Sequence, residues 1–354
     1  MKKTIVMLLT ALMMISANAL LAEDVGGGGG GGPTFQTEVI NTGTNAAAFL
    51  EIGVGARAMG MGGAYVAIAN DPTALYYNPA GIVWIKNTQI ELMHNEWLVD
   101  TNYEFLGLTM PMPFFNSTLG ASLIMLDYGE QPVRTESRPE GTGENYSARD
   151  YAVAVSFASA LTNRFSFGIT AKYINQSIWH VSGGAAAMDA GIFYSTPVNG
   201  LRLGMSISNF GGELQMSGRD LKSTNDPDPN NQNIDRIPVN YETHSYPLPQ
   251  IFRAGVSYTA NLGEVGNILL TTDVLHPSNS TESINLGVEY GYAGMFFVRA
   301  GYENLYEEDS INGLTFGGGI DYFQPGSVGF RVDYAYSDWG ILNSSHRFSV
   351  GIMF

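Results

Sequence analysis

From about residue 88 to the last residue, apolar and polar positions alternate with period two, in runs of roughly ten residues. Ile284, Leu286, Val288 and Tyr290 alternate with Asn285, Gly287 and Glu289. Phe330, Val332, Tyr334 and Tyr336 alternate with Arg331, Asp333 and Ala335, and Phe348, Val350, Ile352 and Phe354 with Ser349, Gly351 and Met353. Phe165, Phe167, Ile169, Ala171 and Tyr173 do the same against Ser166, Gly168, Thr170 and Lys172. Successive side chains of a strand point to opposite faces, so each run has one apolar and one polar face. The pattern predicts strands at 88–97, 102–111, 116–128, 148–160, 164–179, 184–196, 201–210, 250–259, 267–276, 282–291, 295–302, 312–323, 327–337 and 344–354.

A soluble sandwich has the same alternation, but three further features favour a membrane barrel. The strand count is even, as in bacterial barrels. The connections alternate between short ones (161–163, 197–200, 292–294, 324–326) and ones that include the long 129–147 and 211–249. Trp97, Trp179 and Trp339 fall at the same end of their hairpins, where a lipid-interface aromatic girdle is expected. The predicted class is therefore all-β, a 14-stranded antiparallel transmembrane β-barrel over residues 88–354. The terminal Phe354, ending an alternating strand, resembles the signal read by the outer-membrane assembly machinery.

Composition agrees with this class. Only 14% of residues are charged, against roughly 25% in an ordinary soluble domain. Beyond the N-terminus no apolar run is long enough for a membrane helix. With no cysteine, the 354-residue chain can have no disulfide framework, thiolate nucleophile or cysteine-held metal. A net charge of −16 argues against a nucleic-acid partner. Lys2 and Lys3, the apolar run Ile5–Ile15 and the small-residue exit Ser16-Ala17-Asn18-Ala19 read as a secretory signal within 1–22, cleaved after Ala19 or Ala22. The glycine run Gly26–Gly32 makes 23–48 a flexible leader, without the strand, lysine or helix that a phosphate loop requires.

Residues 49–87 do not alternate. Gly53, Gly55 and Ala58 imitate a dinucleotide fingerprint with Asp71 downstream, yet no βαβ unit surrounds them. A steric role fits better: Gly53, Gly55, Gly60, Gly62 and Gly63 permit close backbone packing. Asp71-Pro72 starts a turn, Thr73–Tyr77 suits one helical turn, and Asn78-Pro79-Ala80-Gly81 is expected to stop it and redirect the chain into the first strand.

This block resembles the N-terminal signature of the PorV/PorQ family of outer-membrane proteins, which is related to the FadL/TodX transporters of fatty acids and hydrocarbons. The resemblance continues through Leu126-Asp127-Tyr128-Gly129, Arg164-Phe165-Ser166-Phe167-Gly168, the segment 201–211, His276-Pro277 and His346-Arg347-Phe348-Ser349-Val350. It implies a 14-stranded barrel whose segment 49–87 folds as an N-terminal plug or hatch, with Asn78-Pro79-Ala80 a structural motif in it. It also implies residence in the bacterial outer membrane and a non-enzymatic role in protein secretion, with exported proteins or secretion subunits as partners. The alternative it implies is a FadL-like transporter of hydrophobic compounds.

Other chemistry is sparse, and no enzyme, cofactor or resident metal is expected. The five histidines have no ligand spacing, and no serine-hydrolase elbow appears. Asp226, Asp228, Asn230 and Asp235 imitate the start of a calcium loop, but Asn231 and Ile237 stand where an EF-hand needs Gly and Glu. Lys172, Arg253, Asp273, Glu289, Arg299, Asp321, Arg331, Asp333 and Arg347 fall on the polar strand faces. A charge facing lipid costs a few kcal/mol, so these are expected inside the barrel, as a packing network or as a polar conduction path.

Overall fold

The computed structural model describes residues 43–112, 115–227, 236–307, 310–311, 313–323 and 328–354. The signal and glycine run, together with Asp228, Asn230 and Asp235 of the calcium-like loop, lie outside the described residues. The barrel strands are β1 (Gln89–Glu96), β2 (Asn102–Met112), β3 (Ser117–Pro132), β4 (Asn145–Ala160) and β5 (Phe165–Ile178). They continue as β6 (Val181–Ser195), β7 (Leu201–Gly211), β8 (Ile251–Asn261), β9 (Asn267–Pro277) and β10 (Ser283–Tyr292). The last four are β11 (Phe296–Leu305), β12 (Leu314–Tyr322), β13 (Gly329–Asp338) and β14 (Ser344–Met353).

Each strand pairs antiparallel with the next, and β1 pairs with β14 from Gln89 opposite Met353 to Glu96 opposite His346, closing a 14-stranded barrel. Closure removes the edge strands that an open sheet would present. Predicted and observed strands agree in number and order, and the larger differences are extensions at one end of the barrel: β3 and β4 run to Pro132 and from Asn145 as a projecting hairpin, β6 starts at Val181 and β11 runs to Leu305.

The alternation decides which face is which. Leu106, Val155, Ile192, Val256, Val332 and Phe348 are exposed on the outside, whereas their chain neighbours are buried or half-buried inside. An apolar exterior around a polar, packed interior inverts the soluble pattern and suits a lipid solvent.

The interior is occupied by the chain preceding β1. It comprises a 3-10 turn at Ala48–Glu51, helical turns at Ala56–Met59 and Ala74–Tyr77, and a 3-10 helix at Pro79–Trp84. Contact with the wall already begins at Ala47, whose N–H donates to Gln176 Oε1 at 2.9 Å. Residues 54, 56, 58, 61, 64–69 and 78–82 are buried almost completely. The backbone of this segment lies directly on wall glycines. A Cβ on Gly301 would overlap the Met61–Gly62 peptide, and one on Gly168 would overlap Pro79–Ala80. Gly62 itself adopts φ +64°, which the close approach to Tyr302 reserves for glycine.

Two local expectations are revised. Asn78 is extended and ends the helical turn Ala74–Tyr77 as expected, but the chain does not pass straight into the first strand: the Asn78 side chain accepts from the Ala80 N–H and starts a 3-10 helix that runs to Trp84. Trp97 and Trp339 are not part of a lipid girdle. Their rings meet edge to face at 4.7 Å and line an internal cavity, with the Arg347 guanidinium 5.2 Å from the Trp97 ring centre. Trp179 is exposed and packs on His180.

The long connection after β7 is partly built. Glu213–Gln215 pairs with Ser245–Pro247, Lys222–Asn225 with Ile237–Asn240, and Ser217–Gly218 extends the β6 edge. Leu214 and Leu248 of this connection are buried in the same core cluster as the inner segment, and the Ala46 N–H donates to the Pro247 carbonyl at 2.9 Å.

Candidate functional site

Every lumen charge expected from the sequence has its side chain on the inner face. Arg299 and Arg347 are fully enclosed, as are Asp273, Glu289 and Asp333. Arg253 is enclosed too, while Arg331 and Asp321 stay partly accessible. Lys172 pairs with Asp189 at 2.7 Å and donates to Asn209 Oδ1 at 2.9 Å.

Most of the others form one network, centred on a residue the alternation could not single out. Arg57, in the helical turn Ala56–Met59, donates from Nε and Nη2 to the two Glu289 oxygens at 3.0 and 3.1 Å. Its Nη1 reaches Asn70 at 2.8 Å and Asp71 at 3.3 Å. Glu289 also accepts from Arg299 Nε at 2.7 Å, and Arg299 Nη1 continues to Asp333 at 2.6 Å. Arg331 bridges Asp321 at 2.9 Å and Asp71 at 3.6 Å. The network thus ties the inner segment, through Arg57 and Asp71, to β10, β11, β12 and β13 of the wall. Bidentate guanidinium–carboxylate pairing gives it fixed geometry as well as charge compensation.

Asp71 is the corner of this arrangement. Its carboxylate also accepts from the Tyr65 and Thr73 hydroxyls. Burial alone would raise its pKa, but Arg57 and Arg331 outweigh that and hold it below the usual carboxylate value. Pro72 follows it in the turn and is buried.

Backbone amides supply a second set of anchors. Tyr65 and Val66 N–H both donate to Asp273 Oδ2, at 2.7 and 2.8 Å. Gly62 N–H donates to Thr315 Oγ1 and Ala56 N–H to Ser349 Oγ, each at 2.9 Å. Asn78 donates from Nδ2 to the Val66 carbonyl at 3.0 Å and the Ile192 carbonyl at 2.9 Å, joining two parts of the segment to β6. The remaining motif positions are steric: Gly53 faces Met59 and Tyr77, Gly55 faces Thr73, Gly60 faces Gly317, Gly63 faces Asn285 and Gly81 faces Ala69. Pro79 and Ala80 are buried against Gly168. Phe354 is exposed, and its backbone N–H donates to the Thr88 carbonyl at 2.9 Å.

Sequence reasoning missed Glu91, Asp189 and Glu303, all buried on inward strand positions. The signal for Glu91 was present, since it shares a face with Met93 and Asn95 on β1. Arg57 had no periodic signal, because it precedes the strands.

At the end carrying the long connections, a cavity of about 400 Å³ opens between the inner segment and the wall. Tyr76, Tyr77, Trp97 and Trp339 line it with Arg253, Glu303 and Arg347. Among the described residues no cluster of side chains suits a metal ion.

The same fold occurs in the CymD monoaromatic hydrocarbon channel, with a TM-score of 0.52, 15% identity, and coverage of 85% of this chain and 96% of that one. The Ralstonia pickettii toluene transporter TbuX is similar at a TM-score of 0.51 and 13% identity, over 85% of this chain and 97% of that one. No curated protein matches the chain in sequence. The family model of the type IX secretion system protein PorV matches residues 34–215, more than half of the chain. With its closed, apolar-walled barrel, the chain belongs to the PorV family and is a bacterial outer-membrane protein.

Proposed function

We propose that this protein is a non-enzymatic outer-membrane component of type IX-like secretion, which binds exported proteins or partner subunits at its external end. The family match supports the secretion context. The observation that supports the reading is the ion-paired, glycine-seated packing of the segment from Ala47 to Ile85 against the inner face of the wall, which we read as a plug. A barrel filled in this way is suited to recognition at the mouth rather than to bulk passage. Large connections are available there: 129–147, carried on the extended β3–β4 hairpin, and 211–249 with its small sheets. Beside them the short hairpins present Val99 and Ile341 at 88% and 90% exposure, apolar tips suited to a protein contact.

A second reading, transport of hydrophobic compounds, is favoured by one feature. An apolar depression of about 500 Å³ indents the outer wall between Leu92, Leu106 and Phe348, with the inward residues Met93 and Phe105 at its floor. The discriminating experiment is crosslinking in native outer membranes followed by capture and identification of companions. Exported proteins and secretion subunits should dominate. Their absence, with lipid or hydrocarbon bound to the purified barrel, would replace the first reading by the second.

A further inference from the structure

The inner segment touches one wall strand near both of that strand's ends. The Ala47 N–H donates to Gln176 Oε1 at 2.9 Å. Far along the segment, the Ala80 carbonyl accepts from Ser166 Oγ at 2.9 Å, and Trp84 Nε1 donates to the same hydroxyl at 3.1 Å. Ser166 and Gln176 both belong to β5, ten residues apart (176 − 166). At about 3.3 Å per residue and a strand tilt of about 40°, that is roughly 25 Å along the barrel axis, the height of the apolar band. The segment therefore crosses the full membrane thickness inside the wall. Its first residues lie at the end with the long connections. Asn45 Nδ2 donates to Ser278 Oγ, just past β9, at 3.3 Å, and the Ala46 N–H donates to the Pro247 carbonyl of the 211–249 connection at 2.9 Å. Its last residues, 83–86, share a depression with Asn116 and residues 161–163 of the short turns.

An even number of strands alone leaves both ends of a barrel on the periplasmic side. The inner segment adds one crossing to the fourteen, so Gly43 and Phe354 lie at opposite ends of the barrel. Phe354 is at the short-turn end, where its N–H donates to the Thr88 carbonyl. Gly43 and Thr44 are exposed at the other end, burial begins only at Ala47, and a Cβ on Gly43 would meet nothing within 4 Å. We propose that the inner segment threads the chain outward through the barrel, so that the residues upstream of Gly43 are displayed at the cell surface. A segment entering from the periplasm would meet the short turns first; this one meets them last, at Trp84. The displayed arm starts beside the 211–249 connection, within reach of exported proteins and out of reach of periplasmic ones. Between Lys3 and Arg57 the sequence has no lysine or arginine, and Glu23, Asp24 and Glu38 make the arm anionic. The placement depends on the orientation of the barrel alone and holds whether it serves secretion or transport.

The test is single-cysteine labelling of the full chain in intact cells, which is clean because the sequence has no cysteine of its own. The probe is a maleimide–polyethylene glycol too large to cross the outer membrane, read as a mass shift on a gel. Thr44→Cys reports the exit point and Thr34→Cys the upstream arm. Ser137→Cys, exposed in the 129–147 connection, is the external reference, and Asn163→Cys, exposed in a short turn, is the periplasmic one. Heat-modifiable migration in SDS confirms that each variant has folded. Thr44→Cys and Thr34→Cys should shift in intact cells to the same extent as Ser137→Cys, while Asn163→Cys should shift only once the outer membrane is permeabilised. Labelling of Thr44→Cys or Thr34→Cys only after permeabilisation would overturn the proposal. Failure of either to label in both states, in a folded barrel, would place that residue inside the protein and overturn it as well.

Discussion

Glu289 offers the sharpest test of how the inner segment is held. Its carboxylate accepts from Arg57 at 3.0 and 3.1 Å and from Arg299 at 2.7 Å, with the pairs almost fully buried. Glu289→Gln keeps the shape but leaves Arg57 tied to the wall only through Asp71 and Arg331. Breaking a buried pair by removing one partner costs roughly 3–5 kcal/mol. The loss falls on attachment of the inner segment rather than on the strand ladder, because Arg57 lies outside the strands. Hydrogen exchange reads this directly, since the amides of Ala56, Gly62, Tyr65 and Val66 donate to wall side chains and can exchange only when the segment lifts off. Exchange at these amides should accelerate by about 10²–10⁴-fold, while β1–β14 keep their protection. Asp127→Asn is the control: its pair with Arg149 at 2.6 Å is largely exposed, and such pairs contribute under about 1 kcal/mol. Unchanged exchange at the four amides in a folded Glu289→Gln barrel would refute the argument that the network clamps the segment.

Three further outcomes follow from the same contacts. Gly301→Val should lower the urea midpoint by an amount equivalent to about 1–3 kcal/mol or more, because its Cβ would overlap the Met61–Gly62 peptide. Gly318→Ala, with only the Phe297 carbonyl at 3.7 Å, should be near neutral in the same titration. Asn78→Ala orphans the Val66 and Ile192 carbonyls and should cost about 2–4 kcal/mol by thermal unfolding, with Asn78→Asp no better because both donors are still lost. Asp71 should make attachment of the segment sensitive to acid. Its folded pKa lies below the unfolded one, so its contribution is complete above the unfolded value of about 4 and is lost as pH falls through the folded one. The protection factor at Ala56, corrected for the intrinsic pH dependence of amide exchange, should therefore be steady from neutrality down to about pH 5 and fall only below about pH 4, and Asp71→Asn should flatten that acid limb.

The barrel was legible in the sequence because lipid imposes a rule on every strand. Outward positions such as Val332 and Phe348 must be apolar, so Arg331 and Arg347 are left to the inside, and period two appears without any knowledge of neighbours. The rule is silent where no lipid is faced. Trp97 and Trp339 lie just beyond the ends of β1 and β13, where the hairpin turn frees the side chain from the alternation. There the pull of the buried Arg347 and of each other's ring outweighs that of the interface. The projecting β3–β4 hairpin was underestimated for a similar reason: beyond the membrane both faces are solvated, and residues 129–132 show no apolar face to read.

The interior required information that sequence spacing does not carry. Partners such as Arg57 and Glu289, or Asn78 and Ile192, are far apart in the chain, and only closure of the barrel brings them together. What the sequence did display was the other half of each contact. The glycines of the 49–81 block face glycines of the wall, Gly60 against Gly317 and Gly62 beside Gly301, so both surfaces are stripped of side chains where they meet. Such a seat holds one chain in one position, since the Met61 and Val66 backbone occupies the space that Gly287 and Gly204 leave open, and a sliding segment would move it off those glycines. Steric registration of this kind, reinforced by buried ion pairs, favours a segment that stays in place.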